Sequence, residues 1–133
     1  MRGNRGATAE RVMLDTSVWI DVFKGRTPEM VSRVHDLLVN DRVVTCGPVL
    51  FEILQGLRPA ERRRVVPLMG AVPRLGFEEK DWERAGDLAA SLRRAGHTLP
   101  PVDVLVSTLC LRHGVPVLSL DEHFGHIPGL VLA

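Results

Sequence analysis

Cysteine is scarce: Cys46 and Cys110 are the only two in 133 residues. They stand far apart, each inside an apolar stretch, which argues for buried free thiols and against a disulfide framework or a thiolate metal site. Long apolar runs are absent as well. No stretch approaches the ~20 residues needed to cross a bilayer, and the arginine-bearing start lacks the apolar segment of a signal peptide, so a cytoplasmic protein without a membrane partner is expected. Lysine is nearly missing: among 17 Lys and Arg residues only Lys24 and Lys80 are lysine. The planar guanidinium fork suits bidentate phosphate recognition, although an arginine-rich genome produces the same bias without that function. A formal charge of +1 is too small to announce a nucleic-acid binder by its overall field.

What is present suffices for one packed domain, with 45% hydrophobic residues. Residues 1–10 are polar, with Gly3 and Gly6, and read as a flexible leader. Residues 11–133 read as a single domain whose fold starts near Val12. Val12, Met13 and Leu14 form a short apolar run ending in Asp15. Thr16 and Ser17, good capping types, and then Val18, Trp19, Ile20 and Phe23 complete a strand, turn and helix. Pro28 opens a second helix with Met30, Val31, Val34, Leu37 and Leu38 on one face. Val43 to Thr45 reads as a strand, and Pro48 opens a helix that carries Glu52 and closes at Gly56. Two more polar helices are expected from Pro59 to about Met69 and from about Glu79 to Ala95. The apolar stretch from Val102 through Leu111 predicts a buried helix with Asp103 in its first turn. A strand from Val115 to Leu120 stops at Asp121, and a final strand is expected over 130–132. Short apolar strands alternating with helices imply right-handed βαβ units, hence an α/β fold with a central parallel sheet flanked by helices on both faces. Ligands in such folds bind at the carboxyl ends of the strands.

Four acids stand in apolar or structurally committed contexts: Asp15, Glu52, Asp103 and Asp121. Taken singly, three have ordinary explanations. Asp15 could cap a helix, Asp103 could favour a helix N-terminus, and Asp121 could serve a turn. Glu52 lies mid-helix between Phe51 and Ile53 and has no capping role. All four fall near one edge of the inferred sheet, and that joint placement outweighs the separate explanations. Clustered carboxylates repel one another unless cations neutralise them. Mg2+ or Mn2+ would do so, and such ions can stabilise both the attacking and the leaving oxygen of a phosphodiester.

At these residues the chain resembles the PIN-domain family, and within it the VapC toxins of bacterial toxin–antitoxin modules. The matching stretches are Met-Leu-Asp-Thr-Ser-Val-Trp-Ile-Asp at 13–21, Glu-Ile-Leu-Gln-Gly at 52–56, Pro-Val-Asp-Val-Leu-Val-Ser at 101–107 and Val-Leu-Ser-Leu-Asp-Glu-His-Phe at 117–124. The resemblance covers about residues 12–132. It implies a PIN-like fold and an endoribonuclease that cleaves RNA phosphodiesters with metal-activated water, leaving a 5′-phosphate and a 3′-hydroxyl. By the same resemblance Asp15, Asp103 and Asp121 would be direct or water-mediated ligands of Mg2+ or Mn2+. Glu52 would orient metal-bound water, and Thr16, Ser17 and Ser119 would be candidate contacts to substrate or to that water. A homodimer and a cognate VapB-like antitoxin are implied as partners. Two positions depart from the family pattern, Ser107 in place of a small apolar residue and Ser119 in place of a common Thr, and the leader is longer than usual.

Arg58, Arg62, Arg63 and Arg64 are candidate RNA phosphate contacts, although a charge run on a helix is more often a solvated face. His123 and His126 have metal-like spacing without an evident third ligand, which speaks against a structural zinc site. Trp19 and Trp82 are expected in the core or a dimer interface rather than as base-stacking platforms. A haloacid-dehalogenase-type enzyme needs a second Asp where Ser17 stands, and a receiver domain needs a late lysine, yet none follows Lys80. The serious alternative is a catalytically inactive PIN-like module that binds RNA or protein.

Overall fold

The computed structural model describes residues 10–133. The leader expected at 1–10 lies, apart from Glu10, outside the described residues. Three strands form a parallel sheet: β1 (Val12–Leu14), β2 (Val43–Val44) and β3 (Val117–Leu118), in the order β2-β1-β3. Val12 faces Val43, Met13 lies between Val44 and Val117, and Leu14 faces Leu118. Every strand residue is buried, which is the signature of a parallel sheet covered on both faces.

The sheet edges differ from expectation. The strand expected over 130–132 is reduced to a single parallel bridge between Leu132 and Val117. On the other edge an unforeseen bridge joins Arg74 to Thr45, with the Leu75 N–H donating to the Thr45 carbonyl at 2.8 Å. Pro73 hid that tract from pattern reading, because proline has no N–H to donate to a ladder; here its carbonyl only needs to accept from the Thr45 N–H at 2.9 Å. The strand expected over 115–120 contracts to β3, and from Ser119 onward the chain pairs with Asp15 and Ser17 instead.

Six helices connect and cover the strands: α1 (Thr16–Lys24), α2 (Pro28–Val39), α3 (Gly47–Gln55), α4 (Pro59–Gly70), α5 (Lys80–Arg94) and α6 (Pro101–His113). A 3-10 turn follows at Glu122–His126. Prolines at the first positions of α2, α4 and α6 sit where a missing N–H costs nothing. Gly25 and Gly114 end α1 and α6 in the left-handed conformation, at φ 59° and 64°. Helix α1 packs on α2 and α3, α3 on α6, and α5 on α6. Met13, Leu14, Val18, Trp19, Val106 and Leu109 are fully buried and form the centre of the core, each such side chain contributing about 1.5–3 kcal/mol through burial. Cys46 and Cys110 are free thiols in the same core, and burial pushes their pKa values up to about 11 and about 12.

One buried polar cluster ties α5 to α6. The Asp81 side chain has 0% exposure. It accepts from Arg112 Nε and Nη2, both at 2.8 Å, from Arg84 Nη1 at 3.0 Å and from the Glu78 N–H at 2.9 Å. These contacts, led by the Arg112 hydrogen bond, hold the Asp81 carboxyl at about 2. No described helix is long and apolar enough to cross a membrane.

Candidate active site

Asp15 follows β1 directly and is the N-cap of α1, so the strand fixes its backbone and the helix start fixes its side chain. It is 1% exposed. Its Oδ1 accepts the Thr16 N–H at 2.7 Å, and its Oδ2 accepts the hydroxyls of Ser17 and Ser119, each at 2.7 Å. The Ser17 hydroxyl oxygen in turn accepts the Leu120 N–H at 3.1 Å, and the Ser119 oxygen accepts the Asp121 N–H at 2.9 Å. Two hydroxyls thus tie the segment after β3 to Asp15 and the first turn of α1. Capping and clustering, posed as rival explanations of Asp15, coexist in one side chain.

Glu52, on α3, reaches the same place. The Thr16 hydroxyl donates to its Oε1 at 2.6 Å. Asp103 sits in the first turn of α6 and is 5% exposed, while Asp121, just past β3, is exposed. Asp15, Thr16, Ser17, Glu52, Asp103 and Asp121 all line one open cleft of about 300 Å³, together with His123. The four acids singled out from sequence are therefore brought together. Thr16, Ser17 and Ser119 are found bonding the carboxylates themselves, so they orient the acids directly.

His123 is the residue that sequence reasoning missed. Sequence spacing groups it with His126, but the two part company: His126 stacks on His97 with ring centroids 3.9 Å apart, whereas His123 lines the cleft. Its Nδ1 lies 2.9 Å from Asp103 Oδ2. An ionised carboxylate can only accept, so the imidazole N–H donates. Burial pushes the Asp103 pKa up, the charges of Asp15 and Asp121 add to that, and the His123 hydrogen bond opposes it. His123 is raised in turn, first by its bond to Asp103 and then by the charges of Asp103, Asp121 and Asp15. The available signal was its place two residues after Asp121, beside Phe124, whose burial fixes the turn.

The donor set suits a divalent cation. One ligand atom each from Asp103, Asp121 and His123 lie within 4.8 Å of one another, and Asp15 lines the same cleft. Such a concentration of carboxylates calls for positive charge, and carboxylate oxygens are the ligands hard divalent ions prefer.

The arginines divide. Arg58 and Arg64, with Lys24, line a second groove of about 380 Å³ between α1, α3 and α4, whose wall includes Glu52 and Ile20 of the first cleft. Arg62 and Arg63 are exposed elsewhere on α4. Arg58 also donates to Glu61 at the start of that helix. Of the tryptophans, Trp19 lies in the core, and Trp82 is 52% exposed and stacks on Phe77.

The sequence signature of the PIN domain matches residues 12–130. The chain belongs to the PIN-domain family. No curated protein matches it in sequence, but solved PIN-fold structures align along nearly its whole length. A chain of VapBC-1 from nontypeable Haemophilus influenzae is 25% identical with a TM-score of 0.75, covering 92% of this chain and 96% of that one. A chain of DNA-bound VapBC from Salmonella typhimurium is 23% identical with a TM-score of 0.79, covering 93% and 97%. A chain of a toxin–antitoxin complex from Klebsiella pneumoniae is 18% identical with a TM-score of 0.73, covering 90% and 95%. The α/β architecture expected from the sequence is therefore that of a PIN domain.

Proposed function

We propose that this PIN domain is a metal-dependent endoribonuclease, the VapC-type toxin of a toxin–antitoxin pair. The observation that carries the reading is the convergence of Asp15, Glu52, Asp103 and Asp121 on one cleft at the carboxyl edge of the sheet. The solved structures it resembles, among them VapBC assemblies and a toxin–antitoxin complex, support the toxin assignment and a VapB-like antitoxin as partner.

Asp15, Asp103 and Asp121 would hold Mg2+ or Mn2+, with Asp15 kept in place by the Thr16 N–H and the two serine hydroxyls. A divalent cation bound there supplies charge for the phosphodiester oxygens and makes water a better nucleophile. Glu52, oriented by Thr16, would orient the metal-bound water and could accept its proton. Lys24, Arg58 and Arg64 in the adjoining groove offer cations to the flanking phosphates of an RNA strand. Exposed apolar side chains such as Val66 and Leu68 on α4 supply surface for a homodimer.

The test is cleavage of total cellular RNA by the purified chain with Mg2+ or Mn2+, with chelator, and by Asp103→Asn. Cleavage by the wild type alone, abolished by chelator, is expected. Equal cleavage by wild type and variant would place the chemistry elsewhere. RNA retention without cleavage or metal requirement would favour the inactive binding module.

A further inference from the structure

Around the carboxylates stand the basic groove beside Glu52, the stacked His97–His126 pair, and His123. Only His123 combines a fixed position with donors from two other elements. It stands in the 3-10 turn at Glu122–His126, anchored by the buried Phe124 next to it and by Ile127, 1% and 4% exposed. Its side chain is 47% exposed, on the cleft side, with Nδ1 against Asp103 Oδ2.

A simple ion pair would need one carboxylate opposite the imidazole. Here Asp121 brings a second, and ligand atoms of all three residues lie within 4.8 Å of one another. The Asp15 carboxylate lines the same cleft. A single imidazolium leaves two or more negative charges uncompensated in that space, whereas a divalent ion with a neutral imidazole as ligand balances them better.

We infer that a divalent cation displaces the proton that His123 shares with Asp103, so that His123 becomes a nitrogen ligand of the cation site together with Asp103 and Asp121, and that it makes the site select a first-row transition ion, Mn2+, over Mg2+. This rests on the metal-nuclease reading above and goes further in assigning the ion. Mg2+ binds oxygen donors and gives up its water reluctantly; Mn2+ also favours oxygen donors and is the weakest nitrogen binder of the first-row divalent ions, but it accepts one imidazole beside carboxylates more readily than Mg2+ does. An all-carboxylate cleft would give no such preference through nitrogen.

The test uses the metal alone, without RNA. Mn2+ is titrated into the purified full chain and followed by electron paramagnetic resonance, with Mg2+ as competitor, and the electron spin echo of bound Mn2+ is examined for nitrogen coupling. The wild type is expected to bind Mn2+ in preference to Mg2+ and to show coupling to a directly bonded nitrogen. His123→Ala is expected to lose that coupling and to bind Mn2+ about 10-fold more weakly or worse, with a much smaller change for Mg2+. Bound Mn2+ without nitrogen coupling in the wild type would overturn the proposal and leave the nuclease reading standing. So would undiminished Mn2+ affinity in a folded His123→Ala. Failure of the wild type to bind either ion would overturn both. The wild-type spectrum decides the point even if the variant does not fold.

Discussion

Replacing Asp81 by Asn keeps the side-chain volume and removes one buried charge far from the cleft. In the native protein that carboxylate receives two hydrogen bonds from Arg112, one from Arg84 and one from the Glu78 N–H. Its pKa is held at about 2 instead of an ordinary 3.8. At about 1.4 kcal/mol for each tenfold change in proton affinity, this corresponds to about 2 kcal/mol of stability. Breaking a buried ion pair by removing one partner costs about 3–5 kcal/mol; the lower figure is the better guide because Arg84 and Arg112 are 44% and 23% exposed and water can take over part of their solvation. The folded-state pKa is depressed, so the contribution is fully present above the ordinary value of 3.8 and is lost as the pH falls towards about 2. Urea unfolding of wild type and Asp81→Asn should therefore differ by about 2 kcal/mol at neutral pH, or about 6–8 °C in melting temperature for a chain of this size. The gap should narrow below about pH 4. A gap that is independent of pH, or one below about 0.5 kcal/mol at neutral pH, would refute the claim that this pair ties α5 to α6. Metal binding should be unchanged, since Asp81 meets the far end of α6 from Asp103.

Two further predictions concern the site. Asp15→Asn keeps an oxygen for the Thr16 N–H, so the melting temperature should fall only by the equivalent of about 1 kcal/mol while RNA cleavage is lost; full cleavage would show that Asp15 is only a helix cap. On an Asp103→Asn background, Arg64→Ala should weaken RNA binding and lower the slope of log affinity against log salt by about 1, whereas Arg62→Ala should leave both unchanged. Equal effects of the two, read by fluorescence anisotropy, would mean that the groove beside Glu52 does not bind the strand.

Sequence patterning was sufficient wherever the chain's local preference and its tertiary role agree. The apolar run at 12–14, the prolines opening α2, α3 and α4, and Gly56 closing α3 mark boundaries by their own stereochemistry. Four acids in apolar surroundings were conspicuous because an isolated buried charge is costly and needs a partner. The order of strands and helices then placed them at one sheet edge. What the tertiary structure alone decided are matters of direction between distant segments. Pro73 to Leu75 pair with Thr45 although nothing local favours a strand there. Arg58 and Arg64 turn to the groove while Arg62 and Arg63 face away, a choice set by the helical phase of α4 relative to α1 and α3. Ser17 and Ser119, 102 residues apart, meet on one oxygen of Asp15. His123 and His126 looked like a pair in the sequence, but a 3-10 turn with roughly three residues per turn and a buried Phe124 sends one to Asp103 and the other to His97. Residue type and spacing determined that this chain would gather carboxylates; only packing determined that an imidazole stands among them.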